Sequence, residues 1–293
     1  MMMRFAPHLG LTSIDDGLFV HHAGSDPLRQ IAFIAERGFA GVQDNFLQRR
    51  PAELQTQIGE ALARCGLTMG CFLATLTHDR PTFALETSRI TELLKSELQR
   101  AIETAKRAGG HSLTMILGRS QPGVPRERQL QFAVENLKQC AELAERAGVV
   151  LLVEPIARAR WSDVLLPRVD DAVELCREVR SSSVKLLFDV YQCQRESGNL
   201  LETLDRAWSY IGAIQIADCP GRCEPGTGEI NFENVLHHIH MKGWNGLIEL
   251  EHATSMPGRA GEVAVLDICA RLSDVSRPQT AHQQANCGHA DQS

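Results

Sequence analysis

Several carboxylate and amide side chains stand where apolar segments of this sequence end. Glu154 follows VVLLV, Asp189 follows VKLLF and Gln215 follows IGAI, while Glu249 and Glu251 interrupt the segment GLIELEH. An unpaired carboxylate is costly to bury, whereas a divalent cation would neutralise several carboxylates at once. If these side chains converge, their oxygen donors would suit Mg²⁺ or Mn²⁺.

Each of these residues also has an ordinary alternative role. A single Glu or Asp at a strand end is more often a loop contact, a helix cap or an ion-pair partner. Recurrence on consecutive strands favours a shared site. Glu249 and Glu251 lie on the same face of one strand, so spacing alone does not choose between them, although Glu251 is nearer the end. His252 is expected to point the other way, into packing.

Apolar runs alternate with amphipathic segments about eight times along the chain. The predicted strands cover residues 4–10, 41–45, 67–74, 112–117, 149–156, 184–191, 211–218 and 246–252. The predicted helices cover residues 27–37, 51–64, 86–108, 126–147, 168–180, 199–207, 231–241 and 259–272. Eight strand–helix units predict an α/β fold, a (β/α)₈ TIM barrel, with a doubly wound sheet as the alternative. Active sites of such barrels lie at the C-terminal ends of the strands, where the polar residues fall.

Composition narrows the possible partners and location. The net charge is −6 and the basic residues are scattered, so we expect no nucleic-acid partner. No apolar run is long enough to span a membrane, and the start of the chain lacks a long apolar signal segment, so we expect a cytoplasmic protein. Neither a G-x-G-x-x-G nor a Walker A sequence follows a strand, which weakens a nucleotide-binding reading.

One barrel domain is expected over residues 1–272, followed by a flexible tail over residues 273–293 that contains few large apolar residues. The nine cysteines are dispersed and odd in number, which favours reduced thiols. Cys219 and Cys223 form a close pair, but no second ligand pair lies nearby in sequence, so a zinc site there is disfavoured.

Three motifs carry a resemblance to a known family. They are LLVEPI at 151–156, LLFDVYQCQR at 186–195 and IQIADCPGRCEPGTGEINF at 214–232. The sequence resembles the hydroxypyruvate isomerases, within the xylose isomerase-like TIM barrels of the sugar isomerase and epimerase group. The last motif is the most specific, because the other two are shared with ketose epimerases.

The resemblance implies roles for individual residues. It makes Glu154, Asp189, Gln215 and Glu251 the ligands of a divalent metal, and it makes Glu154 and Glu251 the catalytic acid/base pair as well. It also implies that Arg222 holds substrate oxygens, where a guanidinium fork would suit a carboxylate. Gln192 and Asp218 complete the set of expected substrate contacts.

Two positions depart from related patterns. Gln192 stands where the family usually has a histidine. An amide cannot take a positive charge, so this departure leaves the identity of the substrate more open than the type of reaction. Gln215 stands where the epimerases have a ligating histidine. An amide oxygen is a harder donor than imidazole, so Mg²⁺ or Mn²⁺ is favoured over Zn²⁺.

This ligand set implies a metal-dependent isomerase of a small hydroxy-keto acid, working through a cis-enediolate. Hydroxypyruvate to tartronate semialdehyde (2-hydroxy-3-oxopropanoate) is the leading reaction. A 2-oxo sugar-acid isomerase and a ketose 3-epimerase are alternatives, and so is a non-catalytic sugar-binding barrel subunit. A metal-dependent abasic-site nuclease ranks last. A homo-oligomer is possible.

Other residues are weaker candidates for the pocket. His8, Asp44 and His78 follow the first three strands, but packing or solvated roles are at least as good for each. Trp161 is a possible lid, and its neighbours Arg158 and Arg160 are possible contributors of positive charge. For these three, a plain surface-loop role is favoured.

Overall fold

Nine short parallel strands form the centre of this computed structural model, which describes residues 2–75 and 77–273. They are β1 (Phe5–Pro7), β2 (Gly41–Val42), β3 (Thr68–Met69), β4 (Phe72–Leu73), β5 (Ser112–Met115), β6 (Val150–Val153), β7 (Val184–Asp189), β8 (Ile211–Ile216) and β9 (Ile248–Leu250). Seven pair in the order β1-β9-β8-β7-β6-β5-β4, and β2 pairs with β3. The predicted tail lies outside the described residues, apart from Ser273.

The sheet closes into a barrel of eight strand positions. β3 and β4 are two parts of the third position, separated by Gly70 and Cys71. Closure between β1 and β2 comes from backbone hydrogen bonds, in which Ala40 N donates to Phe5 O at 3.0 Å and Gln43 N donates to Pro7 O at 2.9 Å. The predicted (β/α)₈ barrel is confirmed.

Helices cover the outside of the barrel. They are α1 (Val20–Ala23), α2 (Pro27–Glu36), α3 (Ala52–Cys65), α4 (Thr87–Ala108), α5 (Arg126–Ala147), α6 (Val169–Val179), α7 (Val190–Glu196), α8 (Leu200–Ala207), α9 (Phe232–Met241) and α10 (Gly258–Leu272). Short 3₁₀ turns cover Leu47–Arg49, Thr82–Ala84 and Trp208–Tyr210. α4 and α5 end at Gly109 and Gly148, whose φ of 68° suits a residue without a Cβ.

All eight predicted strands end earlier in the structure than the sequence pattern predicts, and in two of them a hydrogen bond to a side chain explains the change. The strand predicted through Tyr191 stops at Asp189, because the Asp189 carboxylate accepts from Tyr191 N at 2.8 Å and Gln192 N at 3.3 Å and thereby caps α7. The strand predicted over residues 67–74 is interrupted at Gly70 and Cys71, where Cys71 N donates to the Glu249 side chain at 2.8 Å.

The interior of the barrel contains a small buried cluster of Cys71, Leu152, Leu187 and Ala213. Because strand side chains alternate with a period of two, Glu154, Asp189 and Gln215 project into the interior directly above their neighbours Leu152, Leu187 and Ala213. The larger core lies between the sheet and the helices.

The described residues contain eight free cysteines, and Cys219 and Cys223 are among them without forming a disulfide. No helix within the described ranges is both long enough and apolar enough to cross a membrane.

His8 helps to close the barrel at the end of β1. It is 2% exposed, and its Nε2 lies 3.0 Å from the backbone oxygen of His252, which follows β9. Burial lowers the pKa of His8 from 6.5 to about 4, so the folded protein holds it neutral. The unfolded chain binds a proton at His8 at a higher pH than the folded chain does.

We therefore expect His8 to stabilise the fold fully above pH 6.5 and to lose that contribution as the pH falls from 6.5 towards about 4. Between about pH 7.5 and 5.5, His8 should account for roughly 1 kcal/mol of the decrease in the free energy of unfolding. Urea denaturation of the parent and of His8→Gln at both pH values measures this. His252, whose pKa is also lowered to about 4, leaves part of the decrease in the variant. An equal decrease in both proteins would contradict the assignment.

Candidate active site

Three carboxylates meet at the C-terminal end of the barrel. Glu154 follows β6, Asp189 ends β7 and Glu251 follows β9, and one oxygen from each lies within 4.8 Å of the others. Glu154 and Asp189 are each 4% exposed, and Glu251 is 7% exposed. The strand ends therefore bring three of the four predicted metal ligands into a single buried acidic cluster.

Burial makes this cluster electrostatically unfavourable on its own. Burial raises the pKa of Glu154 well above its usual value, and the charges of Glu251 and Asp189 raise it further. Burial also raises the pKa of Asp189 to about 7, although Arg222 acts in the opposite direction. Positive charge next to the cluster would favour the ionised carboxylates.

Arg222 supplies one such charge from the loop after β8. Its Nη2 donates to Glu251 Oε2 at 2.5 Å and lies 3.7 Å from Asp189 Oδ2. Its guanidinium also lies over the Tyr191 ring, with 5.2 Å from Cζ to the ring centroid. Arg222 lines the cavity above the cluster, but its best hydrogen bond goes to an acid of the protein.

Gln215 brings an amide oxygen to the same place. β7 and β8 pair Asp189 with Gln215, and the amide Nε2 of Gln215 donates to Glu249 Oε2 at 3.1 Å. Gln215 Oε1 and Asp189 Oδ2 are buried atoms without a hydrogen-bond partner. Two unpartnered buried oxygens beside two further carboxylates form a donor set that fits a hard divalent cation.

A cavity of about 510 Å³ opens above the acidic cluster. Glu154, Glu251 and Arg222 form part of its floor. The remaining polar or aromatic lining includes Thr12, Asn45, Phe46, Arg49, His78, Arg160, Trp161 and Gln192. The cavity has the size of a small-molecule site, and its charged lining residues include two acids and three arginines.

Gln192 lines the cavity as expected, but only one end of its amide is free. Its Oε1 accepts a hydrogen bond from the backbone N of Ala157 at 3.0 Å, and the residue is 4% exposed. The amide NH₂ is therefore what Gln192 offers to a bound molecule. It is a neutral donor at the position where a histidine was expected from the family pattern.

Asp218 differs from the expected substrate contact. Its carboxylate accepts from four backbone N–H groups of its own loop, those of Cys219 (2.8 Å), Gly226 (2.8 Å), Gly228 (2.9 Å) and Ile230 (3.1 Å). It is 1% exposed and does not line the cavity. The structure therefore gives Asp218 the role of holding the loop in shape.

The weaker candidates divide into two groups. Asp44 is buried in an ion pair with Arg50, at 2.6 Å from its Oδ2 to Nε, and His8 is a packing residue. Arg158 pairs with Glu196 at 2.7 Å. By contrast, His78 lines the cavity, and so do Arg160 and Trp161, which lie in the loop after β6 with Arg160 exposed, as expected of a surface loop.

Sequence reasoning missed Asn45 and Arg49. Asn45 Nδ2 donates to Glu251 Oε1 at 2.7 Å, and both residues line the cavity. Adjacent residues at a strand end point in opposite directions, so Asn45 reaches the cavity while its neighbour Asp44 pairs with Arg50. Arg49 lies in a 3₁₀ turn that no periodicity signal indicated.

Comparison with known proteins agrees with this geometry. The model of the xylose isomerase-like TIM barrel family matches residues 31–269. The chain is 32% identical to hydroxypyruvate isomerase of Escherichia coli (strain K12) over 161 residues, covering 55% of this chain and 62% of that protein. It is 30% identical to 2-oxo-tetronate isomerase of Cupriavidus necator over 265 residues, covering 89% of this chain and 96% of that protein.

A solved structure supports the fold alone. The crystal structure titled AP endonuclease, family 2, from Brucella melitensis superposes with a TM-score of 0.75 at 23% identity, covering 89% of this chain and 96% of that one. The match to the E. coli protein covers less than two thirds of that protein, whereas the match to the C. necator protein covers nearly all of that protein. Both curated relatives are isomerases, which supports an isomerase here. The chain belongs to the xylose isomerase-like TIM barrel family.

Proposed function

We propose that this protein is a divalent-metal-dependent isomerase that moves a carbonyl group between adjacent carbons of a small hydroxy-keto acid. The observation that carries the proposal is the buried cluster of Glu154, Asp189 and Glu251, of which Glu154 and Glu251 line the cavity. The names of the two relatives indicate the substrates to test first, hydroxypyruvate and a four-carbon 2-oxo acid. A cytoplasmic location and a homo-oligomer remain predictions from the sequence.

The metal would be held by Glu154, Asp189, Gln215 and Glu251. All four offer oxygen, which favours Mg²⁺ or Mn²⁺, and the unpartnered Gln215 Oε1 supports its inclusion. A bound cation would supply positive charge beside the substrate oxygen on which negative charge develops during the reaction.

Glu154 and Glu251 would move the proton. One takes the proton from the hydroxyl-bearing carbon and a proton is returned to the adjacent carbon, while the hydroxyl proton passes to the former carbonyl oxygen. Glu251 is held by Asn45 and Arg222. Within the described part of the chain, no donor hydrogen-bonds to the Glu154 side chain, so Glu154 is the freer of the two to carry a proton.

The arginines of the cavity wall support an acid as the substrate. Arg49 and Arg160 line the cavity, and neither forms an ion pair with a carboxylate of the described residues. They instead lie over aromatic rings, Arg49 over Phe46 at 4.8 Å and Arg160 over Trp161 at 5.3 Å. Their charge is thus available to a substrate carboxylate, which a guanidinium binds in a two-point geometry.

Metal binding should stabilise the protein, because a cation relieves repulsion among the buried carboxylates. At about 100 times the dissociation constant, Mn²⁺ should add roughly 2.7 kcal/mol to the free energy of unfolding of EDTA-treated protein. Thermal unfolding with and without Mn²⁺ measures this. Asp189→Asn should lose the effect, while Asp171→Asn, an exterior acid paired with Arg126, should keep it. Equal Mn²⁺ stabilisation of both variants would refute the assigned metal site.

Glu154→Gln and Glu251→Gln should each lower kcat by about 10²- to 10⁴-fold with the fold preserved, because each removes a group that carries a proton. NMR of hydroxypyruvate in deuterated water follows the reaction, and circular dichroism checks the fold. Near-normal turnover in either variant would exclude that residue from proton transfer. Inversion of one carbon in a ketose, with the carbonyl left in place, would instead indicate the 3-epimerase.

Arg49→Gln and Arg160→Gln should each raise KM for an acid substrate by about 10-fold, since each removes a charged hydrogen bond. Arg158→Gln is the matched control, because Arg158 lies in the same loop as Arg160 but pairs with Glu196. Initial-rate kinetics compare the three variants. A similar KM in the parent, Arg49→Gln and Arg160→Gln would show that the carboxylate binds elsewhere.

A further inference from the structure

A fourth carboxylate lies inside the barrel, below the acidic cluster. Glu249 is 3% exposed and shares its strand face with Glu251, two residues later. Its Oε1 accepts from Cys71 N at 2.8 Å, and its Oε2 accepts from Cys71 Sγ at 2.7 Å and from Gln215 Nε2 at 3.1 Å. Within the described residues, the Glu249 carboxylate therefore accepts hydrogen bonds from three donor groups.

The third barrel strand is shaped around this carboxylate. A Cβ on Gly70 would lie 2.5 Å from Glu249 Oε1 and 3.0 Å from the backbone oxygen of Val42, so only glycine leaves the space. The next residue, Cys71, turns both its N–H and its thiol to Glu249. The gap between β3 and β4 falls at these two residues.

We propose that Glu249 is a positioning residue that fixes the Gln215 amide with its oxygen turned to the cation site. This inference rests on the proposed role of Gln215 as a metal ligand. Glu249 itself is not part of the cluster of Glu154, Asp189 and Glu251, and it does not line the cavity.

The two ends of the Gln215 side-chain amide differ in the groups that they can bind. The NH₂ end donates and the oxygen end accepts, so an ionised carboxylate on one side selects the NH₂. Beside Asp189, to which β7–β8 pairing brings it, the Gln215 amide would otherwise turn its NH₂ to that carboxylate. Instead Gln215 Oε1 and Asp189 Oδ2 both stay buried without a hydrogen-bond partner, and Arg222 Nη2 lies 3.7 Å from Asp189 Oδ2. Glu249 therefore holds the amide in the orientation that a cation can use.

Replacement by glutamine should reverse the amide. In Glu249→Gln, the new side-chain oxygen is needed by the backbone N–H of Cys71, which can only donate. The new NH₂ then takes the place of Oε2 and faces Gln215 Nε2, where two donors meet. Gln215 would turn its oxygen towards residue 249 and its NH₂ towards the cation site, and an NH₂ group does not ligate Mg²⁺ or Mn²⁺.

Calorimetric titration of EDTA-treated protein with Mn²⁺ tests the inference. Loss of a group that orients a ligand typically weakens metal binding by about 10- to 100-fold, and we expect this range for Glu249→Gln. Cys71→Ala, which keeps the carboxylate but removes a thiol that donates to Glu249 Oε2 and accepts from Gln215 Nε2 at 3.4 Å, should weaken binding less. Glu262→Gln controls for the loss of a buried charge, because Glu262 is 1% exposed but accepts from His21 N and lies against His22, away from the cluster.

A double-mutant cycle separates positioning from simple charge loss. If Glu249 acts through Gln215, then in the Gln215→Ala background Glu249→Gln should change the Mn²⁺ dissociation constant by less than about 3-fold. An undiminished effect in that background would overturn the inference. So would a Gln215→Ala variant that binds Mn²⁺ as tightly as the parent, while leaving the metal site itself in place.

Two further outcomes are decisive. If Glu249→Gln does not fold, as judged by circular dichroism, Cys71→Ala is put through the same cycle, and an effect that persists without Gln215 overturns the inference. If the parent protein itself does not bind Mn²⁺, both the metal proposal and this inference fail together.

Discussion

The dominant constraint in this molecule is like charge buried in one place. Glu154, Asp189 and Glu251 bring their oxygens within 4.8 Å of each other while almost wholly shielded from water. Such a cluster persists only when positive charge or hydrogen-bond donors compensate it. Arg222 and Asn45 provide part of that compensation through Glu251, and the unpartnered oxygens leave room for a cation. The loops at this end of the barrel are arranged to meet this electrostatic demand.

The barrel and the acidic cluster could be predicted from the sequence because both follow from periodicity. Strand–helix alternation predicts the fold, and parallel strands place their C-terminal ends at one edge, so Glu154 and Asp189 are expected to lie near Glu249 or Glu251. The family resemblance, and not the spacing, distinguishes Glu251 from Glu249. Local interruptions could not be predicted in this way. The early end of β7 and the gap between β3 and β4 depend on hydrogen bonds from backbone N–H groups to the side chains of Asp189 and Glu249. Hydrophobicity patterns do not record such bonds.

Loop side chains were the least predictable part of the site. Asp218 and Arg160 both lie in polar loops, yet one is enclosed by backbone N–H groups and the other lines the cavity. The difference depends on how each loop folds back on the barrel, which is a tertiary property. Likewise, Arg158 and Arg160 are two residues apart, but Glu196 from another element pairs with only the first. Charge in the sequence did not reveal which of these residues faces the cavity.

The backbone of the loop after β8 determines where the positive charge of Arg222 lies in the cavity. Asp218 gathers four N–H groups of this loop, and Arg222 N donates to Asp218 O at 2.8 Å while Arg222 adopts a φ of 54°. That backbone conformation aims the guanidinium at Glu251. An insertion or a changed turn in this loop would move the Arg222 guanidinium away from the acids without substituting any cavity-lining residue. Barrels that share the same strand-end donors can therefore diverge in reactivity through turn geometry alone.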